Sequence, residues 1–113
     1  MRATDVHENL ANLSRELVDL LVQYRDANLA KAKAEQTFKV AYATAYLAAE
    51  GSIEERKQRA TLTTADAARD AAIADVQFDN LRAAMRVLGQ RLDAGRTIAS
   101  TIRAEAIATG VGT

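Results

Sequence analysis

Two stripes of apolar and small residues, each stepping alternately by 3 and 4, run along nearly the whole chain. The first passes Val6, Leu10, Leu13, Leu17, Leu20, Tyr24, Ala27, Lys31, Ala34, Phe38, Ala41, Ala45 and Ala48. The second passes Ala60, Thr64, Ala67, Ala71, Ala74, Phe78, Leu81, Met85, Leu88, Leu92, Gly95, Ala99, Ile102 and Ala106. Such spacing puts one continuous seam on one side of a helix and suits pairing with another helix. A strand alternates every second residue and cannot present either stripe on one face. The one clear turn between the stripes is Glu50-Gly51-Ser52. The expected fold is all-α: a long antiparallel helical hairpin, coiled-coil-like, dimerising into a four-helix bundle.

The expected boundaries follow from local chemistry. The first helix covers about 5–50, with Thr4 or Asp5 able to cap its free N–H groups. Gly51 suits the left-handed position that ends a helix, and the turn is 51–52. Ser52 then caps the second helix, and Glu55 three residues on completes a capping box. That helix is expected over about 53–109, with a short tail at 110–113, all in one domain. Thr61-Leu62-Thr63-Thr64 is its weak point, because β-branched residues lower helix propensity. Thr63 could cap a fresh helix there. The 3-4 register passes through Thr64 without a slip, and a single continuous second helix is the preferred reading.

Antiparallel pairing around Gly51 sets Leu17 near Met85, Leu13 near Leu88, Leu10 near Leu92 and Gly95 opposite Val6. Charge agrees with that orientation. Acidic residues dominate 5–26 and arginines dominate 78–103, whereas Lys31, Lys33 and Lys39 meet Asp66, Asp70, Asp75 and Asp79 nearer the turn. Exposed pairs of this kind select register more than they stabilise, at under about 1 kcal/mol each. Leucine and methionine fill the terminal half of the seam and alanine fills the turn half. The terminal half is therefore expected to hold the hairpin together.

Composition narrows function mainly by exclusion. The chain has 113 residues, 15 basic and 15 acidic side chains, one histidine and no cysteine. Disulfides are absent and a structural zinc site has no ligand set. Neither a nucleophile–base set nor a glycine-rich phosphate loop can be assembled. The reading is of a non-enzyme with no cofactor and no metal. His7 reads as an exposed residue of the first turn, and Glu54 and Glu55 as carboxylates favoured at a helix N-terminus. Balanced charge gives no global field for nucleic acid. No apolar run reaches transmembrane length and no signal peptide opens the chain, so the cytoplasm is the expected compartment.

Two features point outward. Val18, Leu21, Val22, Leu29, Val40, Leu47, Ile73, Val76, Val87 and Ile98 lie off the seams, and a two-helix hairpin has no interior for them. They imply a homo-oligomer or a protein partner. The second is a basic-aromatic set at the turn: Lys39, Tyr42, Tyr46, Arg56, Lys57 and Arg59. Tyr42 and Tyr46 share a helix face, with Tyr46 expected near Arg56 and Tyr42 near Ala60. The set can track a nucleic-acid backbone and stack a base. Equally, it is arginine packed on tyrosine at a surface, with Glu50, Glu54 and Glu55 cancelling the charge.

The run Ala45-Tyr46-Leu47-Ala48-Ala49-Glu50-Gly51-Ser52-Ile53-Glu54-Glu55-Arg56-Lys57, with the later Ile102-Arg103-Ala104-Glu105, resembles a group of small helical phage and prophage proteins of Gram-positive bacteria. These are often encoded near recombination and replication genes. The resemblance centres on the Gly-Ser-x-x-Glu-Arg-Lys turn. It implies a non-enzymatic accessory protein in DNA recombination or replication, in the host cytoplasm, and carries no active site. A scaffold or tail-assembly protein is the main alternative. A secreted hairpin of the WXG type has similar length, but its tryptophan is missing here.

Overall fold

A computed structural model describes residues 2–110. Three helices follow in order: α1 over Ala3–Ala48, α2 over Ile53–Thr63 and α3 over Ala65–Ala108. The described residues contain no strand. Helix α1 begins upstream of both expected caps, so Thr4 and Asp5 lie inside its first turn. There Asp5 still complements the positive end of the helix dipole.

The turn forms as its residues dictate. Gly51 takes φ +111°, in the left-handed region that costs glycine least. The Glu55 side chain fills the space a Cβ on Gly51 would need. Ser52 is the N-cap of α2: its Oγ accepts from the Glu55 N–H at 3.2 Å and donates to the Glu55 carboxylate at 3.2 Å. Arg56 Nε closes the loop by donating to the Gly51 carbonyl at 3.1 Å.

The expected single second helix is instead two, divided at Thr64. That residue sits at φ −105° and ψ 15°, off the helical minimum. Its Oγ1 donates to the Ala60 carbonyl at 2.7 Å, the carbonyl its own backbone N–H also uses at 3.0 Å. The run Thr61-Leu62-Thr63-Thr64 is rich in β-branched residues of low helix propensity, which suits a break here. Thr64 nevertheless stays on the seam at 4% exposure. An unbroken hydrophobic register therefore did not require an unbroken helix.

The chain divides into two compact units. One comprises Met1–Gln23 with Arg82–Thr113, the other Tyr24–Leu81. In the terminal unit, Val6, Leu88, Leu92 and Ala99 are buried, and Leu10, Leu13, Leu17 and Leu20 are half-buried. Gly95 faces Leu10, one layer from the expected Val6. A Cβ on Gly95 would stand 2.8 Å from Leu10 Cδ2. Leu20 and Leu88 wall one groove together with Val87, so α1 and α3 run antiparallel here. In the turn unit, Ala60, Thr64, Ala74 and Phe78 are buried. Tyr24 meets Phe78 with ring centroids 4.9 Å apart, while Lys31 meets Asp75, and the pairing is again antiparallel.

Both stripes account for the burial. Every seam residue from Val6 to Ala45 and from Ala60 to Ala106 is buried or half-buried. Ala48 alone departs: the helix ends there, it is exposed, and Ala49 turns inward instead. The off-seam aliphatics are all exposed, Val18 at 59% and Leu47 at 80% among them. No large side chain among the described residues is fully buried. One seam gives each unit a thin core.

Candidate functional site

The turn unit holds two side-chain clusters. The first is the expected basic-aromatic set, of which the structure assembles only part. Tyr42 and Tyr46 stand one helical turn apart on α1, which stacks their rings at 6.5 Å with planes 20° apart. Phe38 extends the row, 6.1 Å from Tyr42. These tyrosines and Lys57 line an open groove of about 400 Å³ with Ala43 and Leu47. Lys57 is the basic residue that lines this groove. Arg56 is half-buried and spends its Nε on the Gly51 carbonyl. Lys39 and Arg59 are exposed and do not line this groove.

Electrostatics at this groove are mild. Glu55 is held by Ser52, and Glu54 accepts from Gln58 at 3.4 Å. Two ring faces, one ammonium and an exposed leucine make a surface suited to a flat or apolar group.

The second cluster surrounds Lys31, a charged residue on an otherwise small-residue seam. Its Nζ lies 3.0 Å from Asp75 Oδ1 and 4.7 Å from the centroid of the Phe78 ring. The hydrogen bond to Asp75 raises the Lys31 pKa above the ordinary 10.5, against a smaller opposing desolvation. The charges of Asp75, Glu35 and Asp79 push the same way. The ammonium is thereby held in its charged form. Its role is in pairing: among the described residues, Lys31–Asp75 is the one ion pair joining two helices. The other pairs are local, Asp66–Arg69 at 3.7 Å, Asp93–Arg96 at 3.5 Å and Arg25–Asp26 at 3.9 Å. The sequence signal for this cluster was a lysine at a seam position seven residues before Phe38.

Among the described residues no three potential ligand side chains gather around a common point, and His7 is exposed. No helix among them is long and apolar enough to cross a membrane. Compared with protein-family models, curated proteins and solved structures, the chain matches none.

Proposed function

We propose that the chain is a non-enzymatic helical interaction module that works by docking, to its own copies and to a protein partner. One observation carries this reading. The large aliphatic side chains off the seams are exposed, while the seams alone supply the core. Leu47 at 80%, Leu62 at 77%, Ile107 at 68% and Ile53 at 66% are the most open of them. Burying such side chains is worth about 1.5–3 kcal/mol each, and the fold leaves that unused. The Gly51 turn, through its likeness to small helical phage proteins, favours an accessory role in DNA recombination or replication in the host cytoplasm. Self-association into a four-helix bundle is part of the proposal.

The test separates docking from folding. Replacing Val18, Leu21 and Val22 together with serine should leave the isolated chain as helical and nearly as stable as before. The same variant should lose the crosslinks that the natural chain makes in expressing cells. If the triple variant unfolds as a core variant does, these residues serve the fold and the docking reading fails.

A second reading draws on the Tyr42–Tyr46–Lys57 groove: weak contact with single-stranded nucleic acid through stacked rings and one ammonium. Fluorescence titration with single- and double-stranded DNA at low salt tests it. Binding that disappears in Tyr46→Ala and Lys57→Glu supports the contact. No binding in the micromolar range leaves protein partners only.

A further inference from the structure

The turn unit has one side that its own chain leaves open. Each seam residue of α1 from Ala27 to Ala45 is followed by a residue rotated about 100° round the helix. These followers are Asn28, Ala32, Glu35, Lys39, Tyr42 and Tyr46, and they step by 4 and 3 like the seam itself. The first four are exposed and the two tyrosines are half-buried. Because α1 and α3 run antiparallel here, the residues that follow seam positions on α3 lie on the same side. They include Ala65, Ala68 and Ala72, all small and uncharged. Every one of these residues belongs to the unit Tyr24–Leu81.

We infer that this side is an interface with a second copy of the chain, the two α1 helices packing antiparallel about a two-fold axis level with Thr37. The inference rests on the docking reading above and names the occupant of one face. A face about a quarter turn from the seam lets two helical pairs stack, with seam and interface on adjacent sides of α1, as a four-helix bundle requires. Charge sets the occupant and the direction. Glu35 and Lys39 lie on the stripe itself, and among the described residues neither forms an ion pair within the chain. Antiparallel packing about Thr37 sets Glu35 of one copy opposite Lys39 of the other, and the two-fold repeats the pair. In a parallel two-fold pair each stripe residue meets its own copy, Glu35 on Glu35 and Lys39 on Lys39, which is disfavoured.

The same register suits the remaining layers. Tyr42 of one copy meets Ala32 of the other, and Tyr46 meets Asn28, so large side chains face smaller ones. Lys31 pairs with Asp75, which places Thr37 level with Arg69 of α3. The two α3 helices therefore cross the axis beside Ala68, and Ala65, Ala68 and Ala72 allow them a close approach. The tyrosine rings are covered in this arrangement, which excludes their use on nucleic acid. Val40 and Val76 face away from it and stay open to a different protein. The thin core of the unit gives self-association a thermodynamic reason, since small helical domains commonly complete their burial this way.

The experiment is a charge exchange read by sedimentation equilibrium. The natural chain should sediment near twice its 12.2 kDa mass. Glu35→Lys alone and Lys39→Glu alone should each weaken the dimer by roughly tenfold or more, because each sets two like-charge pairs at the axis. Both exchanges in one chain should restore the dimer. An equal mixture of the two single variants should also associate, because each carries the charge the other lacks. Circular dichroism on each variant confirms that it is folded. Parallel α1 helices, or α1 packed on the alanines of the other copy's α3, would leave the dimer indifferent to the exchanges. A natural chain that is monomeric at all concentrations overturns the interface. It leaves docking to a different protein intact, since that reading is tested at Val18, Leu21 and Val22 of the other unit. A dimer indifferent to the single variants, or one that the double exchange or the mixture fails to restore, overturns the register.

Discussion

Two glycines in the middle of α3 provide a controlled test of the close approach in the terminal unit. Gly89 and Gly95 have the same helical surroundings, and replacing either with alanine should gain about 0.5–1 kcal/mol of helix propensity. Their spatial surroundings differ. Nothing lies within 4 Å of a Cβ on Gly89, whereas a Cβ on Gly95 stands 2.8 Å from Leu10 Cδ2 and 3.6 Å from Leu10 Cγ. Leu10 must therefore give way. Overpacking of that kind costs about 1–3 kcal/mol, toward the low end when the neighbour is the end of a flexible chain. Gly89→Ala should then raise Tm by about 4–8 °C per kcal/mol gained. Gly95→Ala should leave Tm unchanged or lower it. Thermal unfolding followed by circular dichroism reads both. A third variant isolates the cause: with Leu10→Ala already present, Gly95→Ala should become stabilising, which a double-mutant cycle expresses directly. Equal stabilisation by the two glycine replacements in the natural background would refute the close approach of Leu10 to Gly95.

Other outcomes follow from the turn unit. Ser52→Ala removes the acceptor for the Glu55 N–H and should cost about 1 kcal/mol in urea unfolding. Phe78→Ala removes the ring that packs on Tyr24 and lies under Lys31; at 7% exposure it should cost about 3–5 kcal/mol. Lys31 links stability to pH. Its folded pKa is raised, so its contribution is complete below 10.5, the ordinary lysine value, and is lost as pH climbs through the raised one. Lys31→Met should abolish that alkaline decline, and a stability–pH profile identical to the natural chain's would count against the pairing with Asp75.

The heptad stripes carried most of what could be known in advance, because burial on a helix is a matter of period. They anticipated the half-buried leucines of α1, the buried Phe78, Leu88 and Leu92, and the exposure of Val18 and Val87. The N-cap at Ser52, with Glu55 as its partner, was legible because it depends on residues three apart and on nothing distant. The division at Thr64 was half legible: Thr61-Leu62-Thr63-Thr64 marked the weak point, but the unbroken apolar period favoured a single helix. Gly95 was placed against Val6 rather than Leu10 because counting residues from the turn ignores where a leucine side chain reaches. At the basic-aromatic set, sequence spacing assembled Tyr42 and Tyr46 correctly. It did not anticipate that Arg56 would donate to the Gly51 carbonyl, which depends on the backbone path of the turn.

The central claim is that one seam makes the fold and the remaining apolar surface is free for docking. Val87 and Leu88 test it most directly, being adjacent on α3 with 48% and 4% exposure respectively. Each is replaced with alanine, and unfolding free energy is measured at a concentration low enough to suppress association. Leu88→Ala should lose about 2–5 kcal/mol, and Val87→Ala no more than about 0.5 kcal/mol. Comparable losses at the two positions, or a larger loss at Val87, would contradict the account.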